Sequence, residues 1–528
     1  MSAPICLYDT TLRDGAQGKG ISFSPAGKLQ VAKLLDGFGI DIIEGGYAAS
    51  NPKDVAFFED VKALDLKHAK IAAFGSTRRA KISPNDDAGC QALRSADTPV
   101  CTIFGKSWTL HVEEVLRTTR EENLAMIGET VDWLCQLGKD VVYDAEHFFD
   151  GYKNDPDYAL SSLSAAKENG ASVLVLCDTN GGTLPNEIYD ITSKVRKELQ
   201  MAIGIHAHND GGCGVANTLE SIRAGAEHVQ GTINGYGERC GNADLVPVIA
   251  NLKLKMDQSF ASDVQMAKLT ELSRSIDEIA NQRINPKSPF VGADAFAHKA
   301  GMHVDGVRKV PGSFEHIPPE TVGNDRHILI SELSGSSNVL MKVLELGLEL
   351  DKSSPEVREV LAELERLEND GYEFEGADAS FRLLVQKVLK HHKSFFTTLG
   401  YRVINEFRPD GVNHLAEASV KIQVNGEDEY TVAEGDGPVA ALDEALRKAL
   451  SRFYPAIAQV KLTDFRVRIL DPESSTHAKT RVLIESTDGD HTWNTVGVSE
   501  NLIEASWEAL VDSVEYKLFL AESAEKKG

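Results

Sequence analysis

Residues 204–210 read Gly-Ile-His-Ala-His-Asn-Asp and follow the apolar run Met201-Ala202-Ile203. Read as the end of a β-strand, this stretch puts His206 and His208 at positions i and i+2, on one face of the chain. Two imidazoles on one face can hold a single divalent metal ion. An isolated pair with this spacing also suits one packed ring and one solvated ring. The surrounding sequence decides between them. Upstream, the chain repeats one rhythm of strand then helix. The expected strands are Ile5–Asp9, Ile40–Gly45, Lys70–Phe74, Val100–Phe104, Asp140–Ala145, Ser172–Cys177, Ala202–His208 and Glu227–Asn234. Several are apolar on both faces, as buried parallel strands are. Between them lie helical patterns such as residues 24–39 and 123–138. In the first, Leu29, Ala32, Leu35 and Phe38 recur at helical spacing, and Gly39 suits a C-cap. Eight such units predict an α/β TIM (β/α)8 barrel, with a doubly wound open sheet as the alternative.

The polar residues fall at the C-terminal ends of these strands: Asp9 to Gln17, Glu44, Glu146, Asp178-Thr179-Asn180, His206 to Asp210 and Glu238 to Asn242. Barrel enzymes build their active sites at that end. Strands one, seven and eight become neighbours when a barrel closes. LRDGAQ (12–17), HAHND (206–210) and GYGERCGNADL (235–245) then converge. Asp14, His206 and His208 supply one carboxylate and two imidazoles, with the Asn242 carbonyl as a weaker fourth donor. A nitrogen and oxygen set without thiolate suits zinc, manganese or magnesium. Cys240 is read as lying outside it. Open metal positions suit a substrate that chelates through two oxygens, such as a 2-oxo acid, whose carbonyl the ion polarises. Arg13 is placed to stabilise an oxyanion or enolate, or to pair with a nearby carboxylate. Glu146 is the first candidate for general acid/base work and Glu44 the second, unless Glu44 holds Arg13. The GxG of GYGERCG follows the eighth strand and lacks the GxGxxG spacing, so it is not read as a nucleotide fingerprint.

The remaining composition bounds the class. A chain of 528 residues predicts two or three domains. Hydrophobic residues make up 42% and charged residues 26%, ordinary for a globular protein. A net charge of −25 argues against nucleic acid as a partner. No apolar run approaches the ~20 residues of a membrane span, and MSAPICLYDTTLRDG lacks the basic start of a signal peptide. The seven cysteines form no CxxC pair, which points to reduced thiols and a cytoplasmic setting. The expected domains are a catalytic barrel over 1–270, a mainly helical linker region over 271–395 and a C-terminal α+β domain over 396–528. The linker carries an acid-rich helix at Pro355–Glu368, broken at Asp370-Gly371. The last part reads as two strand-strand-helix units. Strands at Ala418–Val424 and Glu429–Val432 precede the helix of residues 435–450. Strands at Asp464–Leu470, Thr480–Glu485 and His491–Val498 precede that of 499–518. Without clustered ionisable residues, this domain suits binding or dimerisation better than chemistry.

These motifs carry a resemblance. LRDGAQ, ten residues and then Lys28 is similar to the first signature of the 2-isopropylmalate, homocitrate and citramalate synthases, and residues 206–239 resemble the second. FAHKAGMHVDGV (296–307), ELSGSSN (332–338) and DGYEFEGADASF (370–381) extend the likeness along the chain. Residues 43–54, 74–79 and 104–127 look most like the long citramalate synthases. The resemblance implies a Claisen-type condensation of acetyl-CoA with a 2-oxo acid, followed by hydrolysis of the thioester. For the citramalate branch the acceptor is pyruvate, in a step toward isoleucine. It implies Asp14, His206 and His208 as metal ligands with Asn242 in the same shell, and Arg13 and Glu146 as catalytic residues. Gln17, Glu44, Thr179 and Arg239 are expected to bind substrate. His303 matches a histidine that reaches the active site of the partner subunit, which implies a homodimer. Two positions depart: Phe314 stands where many members carry Tyr, and Tyr47 where Trp is expected. The proton transfer tied to that hydroxyl then falls to His303 or a water. The C-terminal domain resembles the family's regulatory domain, so feedback inhibition by isoleucine is expected. The competing readings are an isopropylmalate or homocitrate synthase with a larger oxo acid, an acyl-CoA lyase of the related barrel class, and a non-catalytic amino-acid-binding protein.

Overall fold

The computed structural model describes residues 3–48, 52–298, 303, 306–307, 309–328, 355–374, 376–390, 392–405, 416–470, 478–489 and 491–525. The ELSGSSN motif and most of AGMHVDG lie outside them. Eight parallel strands close into a barrel: β1 (Cys6–Asp9), β2 (Ile42–Tyr47), β3 (Lys70–Ser76), β4 (Val100–Lys106), β5 (Asp140–Glu146), β6 (Val173–Asp178), β7 (Ile203–Ala207) and β8 (His228–Gly231). Closure pairs β1 with β8 in the register Cys6↔His228 to Asp9↔Gly231. The expected barrel is the observed one, and the open-sheet alternative falls.

The pleat sorts side chains inside the barrel. Tyr8, Ile42, Ala72, Val100, Val142, Val175 and Cys177 form one buried interior cluster. Two residues further along, the same inward rows carry Glu44, Phe74, Thr102 and Asp144, and β8 carries Gln230. The interior is thus apolar below, apart from His228 on β8, and polar toward the strand C-termini, where the site lies. The outer faces of the strands pack against the helices in the main core.

The helices start and stop where their ends are satisfied. In Pro25–Phe38, Ser24 caps the Gly27 N–H at 3.0 Å, and Val31, Ala32, Leu35 and Phe38 are buried while Leu29 is half-buried. Gly39 ends it in the left-handed region at φ 109°. Helix Arg120–Gln136 begins with Thr119 accepting from the Glu122 N–H. Helix Leu269–Ile279 packs against Pro25–Phe38.

The chain divides into two units, residues 1–296 with 317–326 and residues 297–316 with 327–528. The second holds a two-residue pairing of β9 (Ala297–His298) with β10 (His327–Ile328), the helices Pro355–Asp370 and Asp378–Val388, and two antiparallel sheets. The acid-rich helix runs as expected and stops at Gly371, φ 108°. One sheet is β11 (Thr397–Asn405), β12 (Ala416–Val424) and β13 (Glu427–Gly435), backed by helix Pro438–Ser451. The other is β14 (Lys461–Ile469), β15 (Thr480–Thr487) and β16 (Thr492–Ser499), backed by helix Leu502–Glu525. The repeat is therefore three strands and a helix, not two strands and a helix. The sequence reading passes over β11 because it is an edge strand with mostly exposed side chains, and its register shifts between Thr398 and Gly400. In β12 the alternation is clear, with Ala416, Ala418, Val420, Ile422 and Val424 all buried. The seven cysteines are unpaired. Among the described residues no helix is long and apolar enough to cross a membrane.

Two glycines of the first helix give opposite expectations. A Cβ on Gly39 would lie 2.6 Å from the Asp263 carbonyl oxygen, in a backbone region costly for L residues. Gly39→Ala is expected to cost about 1–3 kcal/mol or more, lowering the Tm of the barrel transition by several degrees. Gly37 has open space around it and sits within the helix. Gly37→Ala is expected to raise Tm slightly, by up to ~1 kcal/mol of stability. Calorimetry of both variants checks the pair.

Candidate active site

The loop after β1 is tied down before it supplies any ligand. The buried Asp9 carboxylate accepts from the Thr11 N–H at 2.9 Å and the Thr11 hydroxyl at 2.7 Å. The Thr11 oxygen in turn accepts from the Ile233 N–H at 2.9 Å, just beyond β8. Burial pushes the Asp9 carboxyl up to about 7. With the Thr10 N–H on the Gly231 carbonyl at 2.8 Å, these bonds fasten the loop across the β1–β8 seam. Arg13 and Asp14 are thereby held over the barrel mouth.

One donor atom from each of Asp14, His206 and His208 lies within 4.8 Å of the others, and all three residues are buried. Among the described residues this is the one cluster of its kind. His206 Nε2 stands 3.5 Å from Asp14 Oδ2. Burial alone would raise the Asp14 carboxyl, but the Arg13 guanidinium and the two imidazoles hold it well below the ordinary carboxylate range. Burial and the adjacent His206 push His208 down to about 4, so its ring is neutral at pH 7, as a ligand requires. The donor set fits a divalent ion on a further count. His208 Nδ1 and Asn242 Oδ1 are buried and have no hydrogen-bond partner. Leaving such atoms unpaired costs about 1–3 kcal/mol each, a penalty that a cation relieves.

Asn242 reaches the cluster because the chain after β8 folds back tightly. Its side-chain N–H groups donate to Asp14 Oδ1 at 3.1 Å and the Tyr236 carbonyl at 2.9 Å. The turn needs Gly241, at φ 87°, where a Cβ would lie 1.9 Å from the Gly235 carbonyl oxygen. The glycines of GYGERCG therefore serve this turn. Cys240 is exposed and outside the donor cluster.

Arg13 is held on three sides. Its Nε donates to Glu44 Oε2 at 2.5 Å, its Nη1 to Asp14 Oδ2 at 2.9 Å, and its guanidinium lies 3.7 Å above the Phe74 ring. Glu44 is fully buried behind it and also accepts from the Tyr8 hydroxyl at 2.7 Å. Tyr8 is in turn 2.7 Å from the Thr102 hydroxyl. Glu44 thus orients Arg13 and is absent from the cavity lining.

The cavity over the cluster measures about 300 Å³. Arg13, Asp14, Gln17, Glu146, Thr179, His206, His208 and Arg239 all line it. Glu146 ends β5 and pairs with Lys106, its register neighbour on β4. Thr179 accepts from the His147 N–H at 2.9 Å. Arg239 is clamped by Asp210 at 2.7 and 2.9 Å and donates to the Thr179 carbonyl at 2.7 Å. Phe74 and Phe104 stack with centroids 5.4 Å apart, and Tyr47 meets Phe74 edge-on at 5.8 Å. Lys28 of the first signature is buried, donating to Asp54 at 2.5 Å and the Gly45 carbonyl at 3.0 Å, while Asp54 accepts from the Tyr47 N–H. Its work is to fix the end of β2. His303 belongs to the second unit, where it is exposed and its ring packs on Phe314 with centroids 4.5 Å apart.

Sequence reasoning missed Lys106, Asp144, Gln230 and the aromatic wall. One signal was present: a polar residue at every second position of an otherwise apolar strand, as in VVYDAE and HVQG.

Comparison with known proteins agrees with this geometry. Residues 4–276 match the HMGL-like family, residues 290–371 the homocitrate synthase post-HMGL domain-like family, and residues 375–518 the LeuA allosteric (dimerisation) domain. An (R)-citramalate synthase of Geobacter sulfurreducens is 51% identical over 98% of both chains. One from Synechocystis is 52% identical over 97% of this chain and 96% of the relative. A 2-isopropylmalate synthase of Methanocaldococcus jannaschii is 29% identical over 97% and 94%. The chain belongs to the HMGL-like family and, within it, to the (R)-citramalate synthases.

Proposed function

We propose that the chain condenses acetyl-CoA with pyruvate to give (R)-citramalate and CoA. The observation that carries the reading is one cavity lined by Asp14, His206, His208, Arg13 and Glu146, in a chain about half identical to (R)-citramalate synthases along its whole length. The reaction needs a base to take a proton from the acetyl methyl group and a site that stabilises the oxyanion formed when the carbanion attacks the oxo carbon. Water then cleaves the thioester and frees CoA. Glu146 offers a carboxylate open to the cavity, paired with Lys106 beside it. Arg13, immobilised by Glu44 and Phe74, presents fixed positive charge to the developing oxyanion with little reorganisation. Asp14, His206 and His208 would hold a divalent metal ion with the Asn242 carbonyl nearby; when bound, the ion supplies Lewis-acid polarisation of the 2-oxo carbonyl. Gln17, Thr179 and Arg239 are read as substrate contacts from the rim.

The cavity volume and the Phe74–Phe104 wall favour a small acceptor. A cavity near 300 Å³ is at the low end of small-molecule sites, roughly 300–1,000 Å³. We take the working form to be a cytoplasmic homodimer in which His303 of the partner subunit completes the site, with Phe314 contributing packing and no hydroxyl. The C-terminal domain is read as the isoleucine sensor of the pathway it opens. A cavity of about 380 Å³ in the second unit supports this: Leu384, Val496 and Trp507 offer an apolar wall, and Lys387, Glu508 and Asp512 offer both charges of a free amino acid.

Thiol release from acetyl-CoA is expected to show the highest kcat/KM with pyruvate among pyruvate, 2-oxobutyrate, 2-oxoisovalerate and 2-oxoglutarate. A larger acid in first place would transfer the chain to another branch. Chelation, Asp14→Ala or His206→Ala is expected to abolish turnover with the far-UV spectrum unchanged; a variant with near-normal turnover would remove that residue from the metal shell. Glu146→Gln should lower kcat by about 10²–10⁴-fold with modest change in KM, read from the same assay. Isoleucine at millimolar concentration is expected to inhibit and leucine to do so less; the absence of isoleucine inhibition would sink the sensor reading.

A further inference from the structure

His206 faces two ways. Its Nε2 points to Asp14 Oδ2 at 3.5 Å, and its Nδ1 lies 2.8 Å from Gln230 Oε1. The other end of that amide, Nε2, donates to Asp144 Oδ1 at 2.9 Å. The three side chains come from β7, β8 and β5 and are 5%, 0% and 3% exposed. Below the trio the interior is apolar except for His228, two residues before Gln230 on β8.

We propose that Gln230 and Asp144 are positioning residues that hold His206 in the tautomer able to bind a cation through Nε2. Imidazole can give its lone pair from one nitrogen only when the proton sits on the other. Asp144 offers an oxygen acceptor, which turns the Gln230 amide so that its N–H faces Asp144 and its carbonyl faces His206. The carbonyl then keeps the imidazole proton on Nδ1. Were the amide turned over, a donor would face Nδ1, the proton would move to Nε2 and the lone pair would point away from Asp14. On His208, by contrast, Nδ1 is buried and makes no hydrogen bond. In this role both act through His206, although Asp144 also lines the cavity.

The inference rests on the metal reading given above, and the test separates the two. Metal-free protein is titrated with cobalt(II) alone, without substrates, and the affinity is read from the visible d–d absorption. Gln230→Met keeps the length of the side chain and removes both hydrogen bonds. It is expected to weaken cobalt binding by about 10–100-fold and to alter the absorption band, while a merely structural role would change Tm and leave the affinity alone. Asp144→Leu should weaken binding in the same direction. Asp144→Asn, which keeps an acceptor, should stay within about threefold of the parent, well below the usual loss for a broken supporting contact. If Gln230→Met fails to fold, Asp144→Leu decides. Unchanged affinity in the decisive variant overturns the relay while the metal reading stands. Equal losses in Asp144→Asn and Asp144→Leu overturn it as well, because an acceptor alone would then not suffice. Wild-type protein that binds no cobalt overturns both readings together.

Discussion

Closure of β1 against β8 is the constraint on which the site depends. Asp14 and Asn242 are 228 residues apart, yet the seam places their side chains 3.1 Å from each other. The seam is built from backbone pairing in the register Tyr8↔Gln230 and from loop bonds such as Thr11 to Ile233. Without it, the carboxylate of the first signature and the imidazoles of the second would sit at opposite ends of an open sheet. The same closure puts Tyr8 beside Glu44 and Thr102, and so fixes Arg13 from beneath.

The charges at the mouth are buried in a way that favours chemistry over stability. Arg13, Asp14 and Glu44 form a contiguous set of ion pairs with little exposure to water. Removing such charges from water is costly, and their mutual attraction returns much of the cost only when the geometry is good. What the arrangement gains is fixed orientation: the guanidinium has no freedom left after Glu44, Asp14 and the Phe74 face are satisfied. A dry, preorganised cation acts more strongly on a developing oxyanion than a solvated one. The aromatic wall serves both ends, as a lid on the guanidinium and a limit on the space left for the acceptor.

Sequence patterns were a good guide where the chemistry is local. Strand and helix periods marked all eight barrel units, because buried parallel strands are apolar on both faces and each helix carries one apolar stripe. Helix ends were legible at Gly39 and Gly371, where a glycine takes up the left-handed backbone that ends the helix. The edge strand β11 was not, because a strand bonded on one side with exposed side chains need not alternate. Glu44 was open to acid/base work, to substrate binding and to holding Arg13; it lies fully buried behind the guanidinium, accepts from Arg13 Nε and is absent from the cavity lining.

By itself, the sequence determined the barrel, the carboxylate and two imidazoles that can share an ion, and the family to which the chain belongs. These follow from periodicity and from short motifs whose residues act near their own position. Only the tertiary structure decided which polar side chains support them. Asp144 and Gln230 sit 86 residues apart on separate strands, and His206 meets Gln230 across 24. A hydrogen bond between distant strands depends on register, inward facing and closure together. No local pattern in the chain encodes all three.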